Sequence, residues 1–124
     1  MFDHVKFGVR NFELSKAFYL KALEPLGVTG IAEWPPDGIE IYQPTGDSSL
    51  CLYQTDETPA HLHIAFTAES REQVNAFYHA ALNAGGQCNG PPGLRPQYSG
   101  KYYAAFVNDP DGHNIEAVCH ESED

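Results

Sequence analysis

With 124 residues, 42% of them hydrophobic and 12% aromatic, the chain suffices for one compact domain and is too short for two of ordinary size. Seven Lys and Arg against seventeen Asp and Glu leave a net charge of -10, a surface that repels phosphate backbones and anionic lipid, so nucleic acid and membranes are excluded as partners. The opening Met1-Phe2-Asp3-His4-Val5 has neither the basic nor the apolar region of a signal peptide, and no apolar run approaches membrane-spanning length, which reads as a cytoplasmic protein.

The first element is a strand in which Val5, Phe7 and Val9 alternate with His4, Lys6 and Gly8. A helix follows from the N-cap Asn11, with Ser15, Phe18, Tyr19, Ala22 and Leu23 on one stripe and Gly27 as its stop. Three shorter strands are expected near residues 27–32, 38–43 and 49–54, separated by Pro35-Pro36-Asp37-Gly38 and Pro44-Thr45-Gly46-Asp47. Residues 55–60 are a linker. Leu62, Ile64 and Phe66 then alternate with His61, His63 and Ala65, and Ser70 with Gln73 forms a capping box for a helix carrying Val74, Phe77, Tyr78, Ala81 and Leu82. Pro and Gly between residues 90 and 98 predict a loop. Strands at 101–108 and 114–119 flank Asp109-Pro110-Asp111-Gly112, a hairpin signal, and the chain closes on an acidic tail at 121–124.

The chain repeats itself at an offset of 59, the difference between His63 and His4. The same shift pairs Phe7 with Phe66, Glu13 with Glu72, Ala17-Phe18-Tyr19 with Ala76-Phe77-Tyr78, Ala22-Leu23 with Ala81-Leu82, and Gly27 with Gly86. Chance supplies roughly one or two identities in such a window, so the chain is a duplication. Each half is a strand, a helix and three strands, with module one at 1–54 and module two at 61–120.

Strand alternation assigns faces. Burying Val5, Phe7 and Val9 against the helix turns His4 and Lys6 to the other side. Burying Leu62, Ile64 and Phe66 does the same for His61 and His63, and burying Ile115 and Ala117 does it for Glu116. Two imidazoles and a carboxylate in phase suit a borderline divalent ion such as Zn, Fe, Mn, Ni or Co, and three protein ligands leave room for substrate. The competing reading makes both His side chains hydrogen-bonded structural groups and Glu116 a solvated strand residue.

Asp3-His4-Val5-Lys6-Phe7-Gly8-Val9, the two Ala-Phe-Tyr helices, Leu62-His63-Ile64-Ala65-Phe66 and above all Asp109-Pro110-Asp111-Gly112-His113-Asn114-Ile115-Glu116 resemble the glyoxalase/bleomycin resistance protein/extradiol dioxygenase superfamily, the vicinal oxygen chelate proteins, over nearly the whole chain. The resemblance implies an α+β fold of two tandem βαβββ modules, whose eight-stranded mixed sheet curls into a cup around one divalent metal ion. It places metal ligands on His4, His63 and Glu116. It further implies a homodimer and a small-molecule substrate, anionic or thiol-containing, with His4 and Glu116 of one site able to come from different chains. Lactoylglutathione lyases carry a fourth ligand, a Glu on the last strand of module one, where residues 48–53 present Cys51 and no acid. The resemblance therefore implies metal-dependent lyase or isomerase chemistry without that ligand. Its alternatives are the extradiol dioxygenases, the fosfomycin-resistance thiol transferases, and the bleomycin-resistance branch, which binds drugs without catalysis.

Around this set stand Tyr102 and Tyr103, one of which alternation turns to the face of Glu116, where a phenol either donates to an oxyanion or packs as a core residue. Tyr102 and His61 are the candidate acid-base groups. Lys6 and Arg95 can neutralise an anionic substrate, Arg95 otherwise being a solvated loop charge. Trp34 reads as a pocket wall or as cover for an edge strand. Cys51 is a soft fourth ligand or, by preference, a small buried hydrophobe. His79, His113 and His120 read as non-ligands. Cys51, Cys88 and Cys119, odd in number and without a CxxC pair, read as reduced thiols.

Overall fold

The computed structural model describes residues 2–57 and 61–120; the acidic tail and the end of the linker lie outside the described residues. In chain order it comprises β1 (His4–Val9), α1 (Phe12–Leu23), a 3₁₀ turn (Glu24–Leu26), β2 (Gly30–Trp34), β3 (Gly38–Tyr42) and β4 (Ser49–Gln54). Module two repeats the order with β5 (His63–Thr67), α2 (Arg71–Asn83), β6 (Gln87–Leu94), β7 (Tyr103–Asn108) and β8 (Asn114–Cys119). The strands form two four-stranded sheets, β1-β4-β3-β2 and β5-β8-β7-β6, each with one parallel pair and otherwise antiparallel. This is the expected α+β fold of tandem modules. Among the described residues no helix is long and apolar enough to cross a membrane.

Both helices start where their caps dictate. The Asn11 side chain accepts from the Leu14 amide, and Ser70 accepts from the Gln73 amide, each removing an orphan donor of the first turn. Gln73 reaches back one residue further than a capping box requires, its Oε1 accepting from Glu69 N at 2.8 Å. Gly27 ends the first helical stretch at φ 80°, a conformation in which a Cβ is strained.

The helix stripes meet in one core. Phe18, Tyr19, Leu23, Val74 and Phe77 are fully buried, together with Val9, Ile39, Ile41, Leu52, Val107 and Ile115 from the strands. α1 packs on β3 and β4, α2 packs on β6, β7 and β8, and the helices touch each other. One face of each sheet is therefore committed to the helices, and the other is left open to build a site.

Two elements differ from expectation. Residues 87–94 form β6 although they contain Gly90-Pro91-Pro92-Gly93. β6 is an edge strand, where a missing N–H costs no ladder bond, and its register slips between Cys88 and Gly90 and again between Gly90 and Gly93, so the prolines sit at irregularities. Val5 is not buried with Phe7 and Val9 but is 37% exposed; it lies in the exposed first half of β1, an edge strand.

Candidate metal centre

The parallel pairing of β5 with β8 sets His63 opposite Asn114 and Ala65 opposite Glu116. His63 and Glu116 thus share the open face of module two, one step apart along adjacent strands. His63 Nε2 lies 2.7 Å from Glu116 Oε1, and the Tyr102 hydroxyl donates to Oε2, so both carboxylate oxygens are engaged. Glu116 is 1% exposed, whereas the His63 side chain is half open to solvent. A carboxylate so deeply buried is costly without positive charge or strong hydrogen bonds beside it.

Of the two candidate tyrosines, alternation turns Tyr102 to this face and Tyr103 to the helix, where its hydroxyl donates to Asn75 Oδ1 at 2.7 Å under the Arg71 guanidinium. The Tyr102 ring also contacts Tyr98 and His120. Desolvation, then the hydrogen bond to Glu116 and its charge, pushes the Tyr102 phenol up to about 12. A raised tyrosine favours the folded protein below the unfolded value near 10, and that stabilisation fades as pH climbs from about 10 through about 12. In an absorbance titration of tyrosinate, the wild type minus Tyr102→Phe difference is expected to ionise above pH 11. Ionisation near pH 10 would contradict the Glu116 contact.

Module one carries the equivalent arrangement with other side chains. β1 pairs with β4 so that His4 opposes Ser49 and Lys6 opposes Cys51, which makes His4 the counterpart of His63 and Cys51 the counterpart of Glu116. His4 Nδ1 is 2.8 Å from Asp3 Oδ1, leaving Nε2 clear. A carboxylate on one ring nitrogen is the usual outer partner of a metal-binding imidazole. Cys51 is buried at 3% exposure, and burial pushes its thiol up. Lys6 lies 5.8 Å from the centre of the Trp34 ring and 5.5 Å from that of Tyr53, a cation among exposed aromatic faces.

The remaining candidates have other partners. His61 meets the His113 ring edge-on beside the β7–β8 turn. Arg95 donates to Pro91 O at 2.7 Å and lies over Phe106, the residue opposite Glu116, so it staples the segment after β6 and sets a positive charge near Tyr102. His113 is fully buried; its Nδ1 accepts from Leu62 N at 3.0 Å and its ring meets Phe7, which fixes the entry to β5. The Asp-Pro-Asp-Gly turn is structural. Asp109 accepts from Tyr19 Oη at 2.5 Å and from the amides of Asp111 and His113 at 3.0 and 2.8 Å, joining α1 to the hairpin whose second strand carries Glu116.

Among the described residues no three His, Cys, Asp or Glu side chains come close enough to hold a metal ion. His63 and Glu116 meet; His4 does not join them within the chain. A cavity of about 600 Å³ runs along the free edges of β1 and β5, lined by both His4 and His63. Glu116 and Tyr102 lie off it.

The family model of the glyoxalase/bleomycin resistance protein/dioxygenase superfamily matches residues 1–117. The chain belongs to this superfamily. A glyoxalase/bleomycin resistance protein from Albidiferax ferrireducens is similar at 33% identity and a TM-score of 0.81, over 96% of this chain and 98% of that one. A fosfomycin resistance protein from Listeria monocytogenes (18% identity, TM-score 0.73) and a lactoylglutathione lyase from Agrobacterium tumefaciens (14%, 0.71) share the fold, each over 96% of this chain and 92% of their own. No curated protein sequence matches.

For this glyoxalase-superfamily chain the donor chemistry fits a divalent ion. An imidazole nitrogen half open to solvent faces a buried carboxylate oxygen on the side of the sheet turned from the helices, the carboxylate is braced by a phenol, and a second imidazole braced by Asp3 stands at the duplicated position.

Proposed function

We propose that the protein is a metal-dependent enzyme of the lyase or isomerase type acting on a small, oxygen-rich, anionic substrate, with His63 and Glu116 of one protomer and His4 of a second holding one divalent ion. The observation that carries this reading is the His63–Glu116 pair on the open face of module two, with His4 at the duplicated place on module one. The absence of His4 from that pair within the described chain, together with the unpaired edges of β1 and β5, supports a homodimer in which the two open faces belong to different copies.

A divalent ion held by His63, Glu116 and His4 would supply Lewis acidity toward an oxygen-rich substrate. The chain's own groups do the rest. Tyr102 holds Glu116 in place by donating to it and keeps its proton through neutral pH; that single proton reaches an oxyanion developing beside the carboxylate only by turning away from Oε2. Lys6 offers positive charge to an anionic group, and Trp34 and Tyr53 give that group an aromatic wall.

The test is a panel of a methylglyoxal hemithioacetal, fosfomycin with a thiol, and catechols with O₂, each assayed on protein loaded with Zn, Mn, Fe(II), Co or Ni. The proposal expects turnover of an oxygen-chelating substrate that chelator and Glu116→Ala both abolish, and a Tyr102→Phe variant slowed about 10²–10³-fold in kcat with KM nearly unchanged. Turnover indifferent to chelator and to Glu116→Ala would overturn it.

A second reading, a non-catalytic drug- or metabolite-binding protein, draws on the exposed Trp34, Tyr42 and Tyr53 of module one. Tight binding of an aromatic ligand that survives His4→Ala with Glu116→Ala would favour it.

A further inference from the structure

The glycines and prolines of β6 do more than bend an edge strand. Leu94 pairs with Tyr103, and the ladder runs one step further, the Arg95 amide donating to Tyr102 O at 2.7 Å. Residues opposite each other on paired strands share a face, so Arg95 goes with Tyr102 to the side of the sheet that carries Glu116. From there the side chain folds back along its own strand. Its Nη2 donates to Pro91 O at 2.7 Å, and its Cζ lies 5.3 Å from the centre of the Phe106 ring.

That return path is open because Gly90 and Gly93 have no side chains. A Cβ on Gly90 would stand 3.2 Å from Arg95 Nη2, and one on Gly93 would stand 3.2 Å from Nη1, both closer than ordinary contact. The register slips around these glycines thus shape a seat for the guanidinium, with the Phe106 ring as its other wall.

A cation seated so closely ordinarily has an acidic partner. Among the described residues no Asp or Glu lies within ion-pairing distance of Arg95, although the chain carries seventeen. Phe106 stands between Gly90 and Glu116 in one row across β6, β7 and β8. The charge is therefore felt at the Tyr102 phenol, where it opposes the upward shift, without being joined to Glu116. Of the five guanidinium N–H groups, Pro91 O takes one and Leu94 O makes a long contact at 3.5 Å; the others have no partner among the described residues. His63 lies against the same Phe106 ring, 6.1 Å between centroids. An imidazole, a carboxylate and an unpaired guanidinium are thus grouped around one phenyl ring.

We propose that Arg95 is the specificity-determining residue that receives a carboxylate of the substrate, its guanidinium seated on Gly90 and Gly93 and held apart from Glu116 by Phe106. This rests on the small-anion reading above and names the anionic group. A planar guanidinium matches the two oxygens of a carboxylate, and Glu116 one strand away favours a single negative charge over the double charge of a phosphoryl group.

The test is a ¹⁵N NMR titration of the intact, chelator-treated protein with glycolate, and separately with phosphate and with chloride at equal ionic strength. Glycolate is expected to shift the Arg95 Nε–H signal along a saturating curve that chloride does not reproduce. Arg95→Gln is expected to weaken glycolate binding, followed at the Phe106 amide, by about 10-fold or more. Gly93→Val keeps the charge and fills the seat; it is expected to weaken binding as well, and it carries the test if Arg95→Gln does not fold. An Arg95 signal that glycolate leaves in place, an equal shift with chloride, tighter binding of phosphate than of glycolate, or wild-type affinity in the folded variants would overturn the assignment. The titration needs no metal, so the two readings separate. A protein that binds a divalent ion but not glycolate would end the role of Arg95 alone, and one that binds glycolate at Arg95 but no ion would keep it and end the metal centre.

Discussion

Mixing His4→Ala protein with Glu116→Ala protein is expected to restore metal binding that neither variant has alone. Each homodimer lacks one ligand at every site, a loss larger than the roughly 10–100-fold that removing an outer-shell partner costs. In a shared-site dimer, the hybrid places His4 of one chain against Glu116 of the other, giving one site with all its ligands and one with both lesions. Random exchange makes about half the dimers hybrid, so about a quarter of wild-type occupancy returns. The readout is bound metal after gel filtration of subunits mixed, exchanged under mild denaturant and refolded. A mixture that stays empty, or a His4→Ala protein that binds like the wild type, would show that the two faces do not combine across chains.

The second large effect is on stability. Asp109→Ala is expected to cost about 3–5 kcal/mol, because it removes a 5% exposed carboxylate that receives three donors and strands the fully buried Tyr19 hydroxyl. Tyr19→Phe removes only one of those donors and is expected to cost about 1–2 kcal/mol. Urea unfolding measures both, with the midpoint moving and the slope unchanged. Because the same turn starts β8, Asp109→Ala is also expected to loosen the His63–Glu116 pair. An Asp109→Ala protein as stable as the wild type would mean that the turn holds its shape without the carboxylate.

That turn illustrates which features can be read directly from the chain. Asp109-Pro110-Asp111-Gly112 is a local signal, and so are the caps Asn11 and Ser70 and the strand alternation; each depends on residues a few positions apart. The offset of 59 goes further, since a duplication makes His4 and His63 equivalent whatever the fold. Tyr102 was also within reach, because alternation before the hairpin sends it or Tyr103 to the face of Glu116.

What stayed hidden depends on register and on edges. Gly90-Pro91-Pro92-Gly93 reads as a loop, and only the edge position of β6, with its two register slips, lets it be a strand. The exposure of Val5 likewise goes with the edge position of β1. Glu40 looks like an ordinary polar strand residue until the β3–β4 register sets it opposite Cys51, where it accepts from the Ser49 hydroxyl. Whether His4 meets Glu116 in the same chain is a matter of how two modules pack, which no local pattern encodes.

The most direct measurement is elemental analysis of protein purified without chelator and dialysed against excess divalent metal. One ion per chain in the wild type, falling to none in His63→Ala and in Glu116→Ala while both variants keep their folded circular dichroism, is the expected result. A wild type that retains no stoichiometric ion, or variants that retain as much as it does, would contradict the metal centre on which this reading of the protein stands.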